Sequence, residues 1–190
     1  MLPFINPENG EKLIISDDEG GDVLHDIYQN KFMVYDGIFD LIYPNALRKV
    51  IQPAQLFHDN RATEYEQCLH LTFRTHDVNE IECRNKFIDE LDLDTESTVL
   101  EIACGTGRDS NLIADRIPDG EFHMLDISSG MLKICQEKIR KKEFKHYFVL
   151  ANVAKLPYSD NYFDAVYSFG GIGEFPDIKS SLSEMTRVAK

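Results

Sequence analysis

The stretch Thr98-Val99-Leu100-Glu101-Ile102-Ala103-Cys104-Gly105-Thr106-Gly107-Arg108-Asp109-Ser110 decides how the rest of the chain reads. Val99, Leu100 and Ile102 make the short apolar run that a strand buried on both faces requires. Gly105 and Gly107 come next, where such a strand must turn into a helix. Glycine lets the backbone pass within contact distance of a ligand, and the first helical turn offers unpaired N–H groups, so strand, glycine turn and helix start form a cradle for a nucleotide. Alone, the pattern is unspecific.

The residues beyond Gly107 sharpen it. A second apolar segment, with Phe122, Met124 and Leu125, ends at Asp126, nineteen residues beyond Gly107, where a carboxylate can accept from both hydroxyls of a ribose. A third, Tyr147 to Leu150, runs into Ala151-Asn152-Val153, then Leu156-Pro157-Tyr158-Ser159-Asp160 and Tyr162-Phe163-Asp164-Ala165-Val166. This order resembles the class I S-adenosylmethionine-dependent methyltransferases that act on small molecules, over about residues 60 to 190. The resemblance implies an α/β fold with a Rossmann-like, doubly wound, mostly parallel sheet, and S-adenosylmethionine as cofactor. It places Glu101 under the amino-acid end of that cofactor, with Gly105, Thr106 and Gly107 as the turn and Ala103 in place of the family's first glycine. Asp126 with Ile127 would meet the ribose. Asn152 stands where the family usually has Asp facing the adenine amino group; its carbonyl can still accept that bond, and Val153 would offer a backbone N–H to the ring. Tyr65 and Phe169 complete the expected pocket, Tyr65 also being readable as ordinary core packing.

Composition limits the alternatives. A chain of 190 residues with 43% hydrophobic content can bury one good core with room for a small appendage. The net charge is −13, of which −11 lies in residues 1–95 and −2 in 96–190. Such a balance repels phosphate backbones, so nucleic acid is not an expected partner. Cys68, Cys83, Cys104 and Cys135 form no Cys-x-x-Cys pair, as in a reduced cytoplasmic protein. No apolar run reaches the length of a membrane span, and no membrane association is expected.

Three regions emerge from the pattern along the chain. Residues 1–43, with Asn6-Pro7, Asn9-Gly10, Asp17-Asp18 and Gly20-Gly21 between short apolar runs, predict a small β-rich module. Its end, Lys31 to Leu41, resembles the zinc-ribbon-like activator module that accompanies some methyltransferases. Where that family carries two Cys-x-x-Cys pairs, this chain aligns Asn6 and Asn9, then His25 and Tyr28, leaving one zinc donor where a structural site needs four; the module is expected to be metal-free. An unrelated hairpin is the alternative. Residues 44–95 predict a connector and cofactor-covering helices: Pro44 to Pro53 at helical spacing, Gln52 to Asn60 as link, a helix capped by Thr63 with Glu66, and another starting at Asp77 with Glu80. His70 and His76 read as structural.

Residues 96–190 alternate strand and helix, the mark of a parallel sheet. One helix is expected from about Gly107 to Ile117, and a second from Ser128 or Ser129 that buries Met131, Leu132, Cys135 and Ile139 and ends in the basic cluster Lys138 to Lys142. Gly170 to Phe175 predicts a loop at the carboxyl edge of the sheet, with Glu174 the candidate general base; Asp160 and Asp164 read as turn residues. A last helix, Asp177 to Lys190, is in the family followed by further strands. The expectation is therefore an incomplete core at the front of a longer polypeptide, its open strand edge covered by a second copy or another chain. The expected reaction is in-line methyl transfer to a small-molecule acceptor, in which alignment alone provides much of the acceleration. Three readings compete: a nicotinamide dehydrogenase, disfavoured because Ser110 replaces a third glycine; a non-catalytic S-adenosylmethionine-binding regulatory protein; and a methyltransferase of macromolecules.

Overall fold

A computed structural model describes residues 2–18, 21–44 and 46–190; Gly20 of the expected Gly20-Gly21 turn lies outside them. Near the N-terminus β1 (Ile14–Asp18), β2 (Gly21–His25), β3 (Lys31–Tyr35) and β4 (Ile38–Asp40) pair antiparallel in sequence order. The β3–β4 link is Asp36-Gly37 with both residues at positive φ, 52° and 78°, the geometry that a two-residue hairpin turn demands and that Asp-Gly tolerates.

Then come helices α1 (Leu47–Thr75) and α2 (Glu80–Asp89), strand β5 (Thr98–Ile102), helix α3 (Arg108–Ala114) and strand β6 (Glu121–Asp126). Helix α4 (Ser129–Ile139), strands β7 (Lys145–Leu150) and β8 (Ala165–Tyr167), a 3-10 turn at Ile172–Glu174 and helix α5 (Ile178–Val188) complete the chain. The strands form one sheet in the order β1-β2-β3-β4-β7-β6-β5-β8. It is parallel from β4 to β8, with Ile38 opposite Phe148, Met124 opposite Phe148 and Leu100 opposite Val166. The alternation expected of residues 96–190 is thus realised as a Rossmann-like α/β sheet.

The pleat sorts the core into two layers. Val99, Phe122, Met124 and Phe148 pack with Ile88, Ile113, Leu132, Cys135 and Ile139 on the helical side. Leu100, Ile102, Leu125 and Val149 face the other way, onto Tyr158, Phe163 and Val188. Phe4, Leu13, Leu24 and Leu41 join that second layer, and the Phe4 ring lies 5.4 Å from Tyr147 and 5.7 Å from Tyr158. The N-terminal region therefore shares both a sheet and a core with residues 96–190. At the opposite end of the sheet β8 pairs with β5.

Several helix boundaries differ from the sequence reading. The link expected at 52–60 is absent, and α1 runs unbroken from Leu47 to Thr75 through Pro53. Only Ile51 and Ala62 of α1 are buried, so its packing leaves no clear apolar stripe from which continuity could be read. Thr63 and Glu66 lie within that helix and form no capping box; Glu66 serves Thr106 instead. Helix α2 is capped by Asn79, whose side chain accepts from Ile81 N and Glu82 N, and not by Asp77. Helix α3 ends at Ala114, short of Ile117, whereas α4 takes Ser128 as cap and buries the four residues expected.

His123 on β6 is fully buried, with Nε2 2.8 Å from Glu121 Oε1 and Nδ1 3.1 Å from the Tyr158 hydroxyl. Burial pulls its pKa below the ordinary imidazole range, against the pull of Glu121. The unfolded chain then takes up a proton below about pH 6.5 that the folded ring refuses, so stability falls as pH drops through that value. The melting temperature should decline between pH 7 and pH 5, and His123→Gln should flatten the slope; an unchanged slope would remove His123 as its source.

Candidate cofactor site

The cavity opens at the carboxyl ends of β5, β6, β7 and β8, where ligands sit in open α/β sheets. It has a volume of about 370 Å³, within the range of small-molecule sites. Its floor is built from Ala103 to Thr106 after β5, Asp126 and Ile127 after β6, Asn152 and Val153 after β7, and Phe169 to Gly171 after β8. Helix α1 forms the roof with Ile51, Ala54, His58, Tyr65, Leu69 and Phe73, and Arg84 of α2 closes a side.

The roof is held by polar contacts to the floor. Gln55 Nε2 donates to Ile127 O at 2.8 Å, and Asp59 Oδ1 accepts from Ser128 Oγ at 2.5 Å and Gly130 N at 2.7 Å. Gly130 is required there, because a Cβ would stand 2.9 Å from the Asp59 Cα. Glu66 accepts from the Thr106 hydroxyl and pairs with Lys138 Nζ at 2.8 Å.

The turn itself is strained at one point. Ala103, Gly105 and Gly107 all have positive φ, 55°, 55° and 77°, a region in which an alanine costs roughly 1 kcal/mol more than glycine. The Ala103 methyl also occupies space beside Gly171, where an added Cβ would lie 2.4 Å from it. Ala103→Gly should therefore stabilise the protein by up to about 1 kcal/mol; a lower unfolding midpoint would show that the methyl group is needed for packing.

Asp126 is buried; its Oδ2 accepts from Gly105 N at 2.8 Å and its Oδ1 from Ser128 N at 2.9 Å. Burial pushes the carboxyl up, opposed by those two N–H groups. The residue thus ties the β5 turn to the start of α4 while lining the cavity. Asn152 Oδ1 already accepts from Ala154 N at 3.1 Å. Glu174 lines the cavity with its carboxylate 3.2 Å from His58 Nε2.

Two expected site residues are not at the cavity wall. Glu101 faces the helical layer, fully enclosed, and accepts from Ser110 Oγ at 2.5 Å. Gly107 is pressed against α4, where a Cβ would meet Cys135 Sγ at 2.5 Å. Tyr65, Ala103, Gly105, Thr106, Asp126, Ile127, Asn152, Val153, Phe169 and Glu174 share the one cavity. The sequence reading missed His58, Arg84 and Asp109. Among the described residues four buried polar side-chain atoms lack a hydrogen-bond partner: Arg108 Nε, Asp109 Oδ1, Tyr167 OH and Ser168 Oγ. Two belong to the first turn of α3, one to the last residue of β8 and one to the residue after it.

Residues 99–190 match the methyltransferase domain family. The demethylmenaquinone methyltransferase of Anoxybacillus flavithermus is 33% identical over 122 residues, covering 63% of this chain and 50% of that protein. That of Bacteroides fragilis is 33% identical over 150 residues, covering 78% of this chain and 60% of that protein. The chain thus spans about half to three-fifths of the length of these curated relatives. A crystal structure from Methanococcus maripaludis, described as an S-adenosyl-L-methionine-dependent methyltransferase, superposes with a TM-score of 0.56 at 20% identity over 70% of this chain and 59% of that one. With its sheet and glycine turn so arranged, the chain is similar over residues 99–190 to methyltransferase domains, and over a longer stretch to the demethylmenaquinone methyltransferases.

Proposed function

We propose that the protein transfers a methyl group from S-adenosylmethionine to a small-molecule acceptor. The observation that carries this reading is the single cavity in which the glycine turn, Asp126 and Asn152 meet at the carboxyl edge of the sheet. S-adenosylmethionine, when bound, supplies a methyl group made electrophilic by its sulfonium. Gly105 and Thr106 would lie along it, Asp126 would take the ribose hydroxyls and Asn152 with Val153 the adenine edge. The chain's own contribution is mainly alignment and exclusion of water, which an in-line displacement rewards. Glu174, beside His58 at the cavity wall, would take a proton from an acceptor hydroxyl.

Val50, Ile51, Ala54, Leu69, Phe73 and Phe175 form an apolar stretch of the remaining wall. Together with the activity named for the curated relatives, that lining favours a flat, apolar acceptor of the quinol class. Residues 1–43, joined to β7 through β4, would act as a built-in support of the sheet, and residues 44–95 as the cover of the cavity.

Asp126→Ala should weaken S-adenosylhomocysteine binding by about 1.5–3 kcal/mol, the scale of hydrogen bonds to a charged acceptor. Calorimetry on the folded variant measures it, and unchanged affinity would remove Asp126 from the site. Methyl transfer to a reduced quinone tests the acceptor class.

A further inference from the structure

Arg84 reaches from α2 to the cavity wall, 4% exposed, between the rings of Phe73 and Phe169 at 5.2 and 4.9 Å. Its Nε donates to Glu80 Oε1 at 2.9 Å and its Nη1 to Asp109 Oδ2 at 2.6 Å. Its Nη2 donates to no described residue and is not sealed from the cavity. Asp109, also in the wall and 4% exposed, has the converse deficit: its Oδ1 is buried without a donor. An unpaired oxygen on a buried carboxylate is expensive. One side of this ion pair lacks an acceptor and the other lacks a donor. A zwitterion supplies both.

Glu101 does not compete for that role. It is satisfied by Ser110 and stands off the cavity wall; burial, and after it the charge of Asp109, pushes its carboxyl well above the usual range. The Arg84 cation, in contrast, is held charged by Asp109 and Glu80, which outweigh the effect of burial.

We propose that Arg84 and Asp109 form the subsite for the amino-acid end of S-adenosylmethionine, with Arg84 Nη2 taking the carboxylate and Asp109 Oδ1 the ammonium. This rests on the proposed use of S-adenosylmethionine and assigns to α2 and α3 a contact that the family resemblance places on Glu101. Arg84→Met and Asp109→Asn are crossed by calorimetry with three ligands: S-adenosylhomocysteine, its decarboxylated analogue and 5′-methylthioadenosine, which has no amino-acid end. Arg84→Met should lose tenfold or more on S-adenosylhomocysteine and little on the decarboxylated analogue. Asp109→Asn should lose on both, and neither should change binding of 5′-methylthioadenosine by more than about twofold. If Arg84→Met does not fold, wild-type protein still decides, since it should prefer S-adenosylhomocysteine to the decarboxylated analogue at least tenfold. Equal losses on all three ligands, or no loss on S-adenosylhomocysteine, would overturn the subsite while leaving the cofactor reading intact. Wild-type protein that binds none of the three overturns both.

Discussion

Asp26→Ala will destabilise the protein by about 3 kcal/mol or more, because it strands several buried donors at once. The Asp26 carboxylate is fully buried. Its Oδ2 accepts from Asn6 Nδ2 at 2.7 Å, Asn9 Nδ2 at 2.9 Å and Asn30 Nδ2 at 2.8 Å. Its Oδ1 accepts from Tyr28 N at 2.9 Å and Asn30 N at 3.0 Å. A zinc ribbon gathers anionic ligands on a cation; this module gathers neutral donors on an anion. Asn6 and Asn9, aligned with the first ligand pair of the ribbon, both donate to Asp26, a residue that the alignment passes over. His25 stays outside the cluster, with Nδ1 3.4 Å from the Asp26 carbonyl. Among the described residues no group of three or more His, Cys, Asp or Glu is arranged to hold a metal ion.

Burial alone would raise the Asp26 pKa, yet the donors from Asn30, Asn9 and Asn6 prevail and hold it far below the usual carboxylate range. A depressed folded pKa contributes stability that is present above the unfolded value, about 3.9, and is lost as pH falls below it. Asp26→Asn should accordingly lose stability at neutral pH and lose little more on acidification to pH 3. The effect should extend beyond the module, since Phe4 and Leu13 pack in the same layer as Leu125 and Val149. Urea unfolding at pH 7 measures it; a loss below about 1 kcal/mol would mean that water replaces the carboxylate at little cost.

The parts of the fold that were legible in the sequence are those fixed by short-range rules. Val99 to Ile102 and the glycines after it specify strand and turn, and Ser128 before Met131 specifies a helix cap whose hydroxyl accepts from Met131 N at 3.1 Å. The cover of the cavity obeys no such rule. Helix α1 is held by single polar contacts such as Gln55 to Ile127 and Asp59 to Gly130, which join residues about 70 positions apart and leave no periodic trace. Asp26 was illegible for a related reason: an acidic residue in a turn-rich segment reads as solvated, and only the convergence of three asparagines shows that it is a hub. Arg84 was hidden likewise, because its pair with Glu80 reads as an ordinary i,i+4 pair of a solvated helix and its other partner, Asp109, lies 25 positions away on α3.

Gly107→Ala should abolish measurable S-adenosylhomocysteine binding and destabilise the fold by about 3 kcal/mol or more, the upper range for overpacking combined with an unfavourable left-handed backbone. Two costs fall on one methyl group. Gly107 has φ +77°, which an L side chain rarely adopts, and its Cβ would stand 2.5 Å from Cys135 Sγ and 3.1 Å from the Cys135 Cα. The sulfur can rotate away, but the Cα belongs to α4, and α4 cannot retreat without moving Leu132 and Ile139 out of the layer they share with Phe122 and Phe148. The strain must therefore be relieved on the side of the turn, where Gly107 N donates to Cys104 O at 3.0 Å and Gly105 N to Asp126 at 2.8 Å. Displacing that turn moves Gly105 and Thr106, both of which line the cavity, so affinity falls although Gly107 itself never reaches the wall. Cys135→Ala in the same chain removes the closest contact and leaves the positive φ and the backbone clash. It should recover part of the stability and little of the binding. Full recovery of both would place the whole cost on the sulfur, and a Gly107→Ala protein that binds normally would show that the turn is free to shift without disturbing the site.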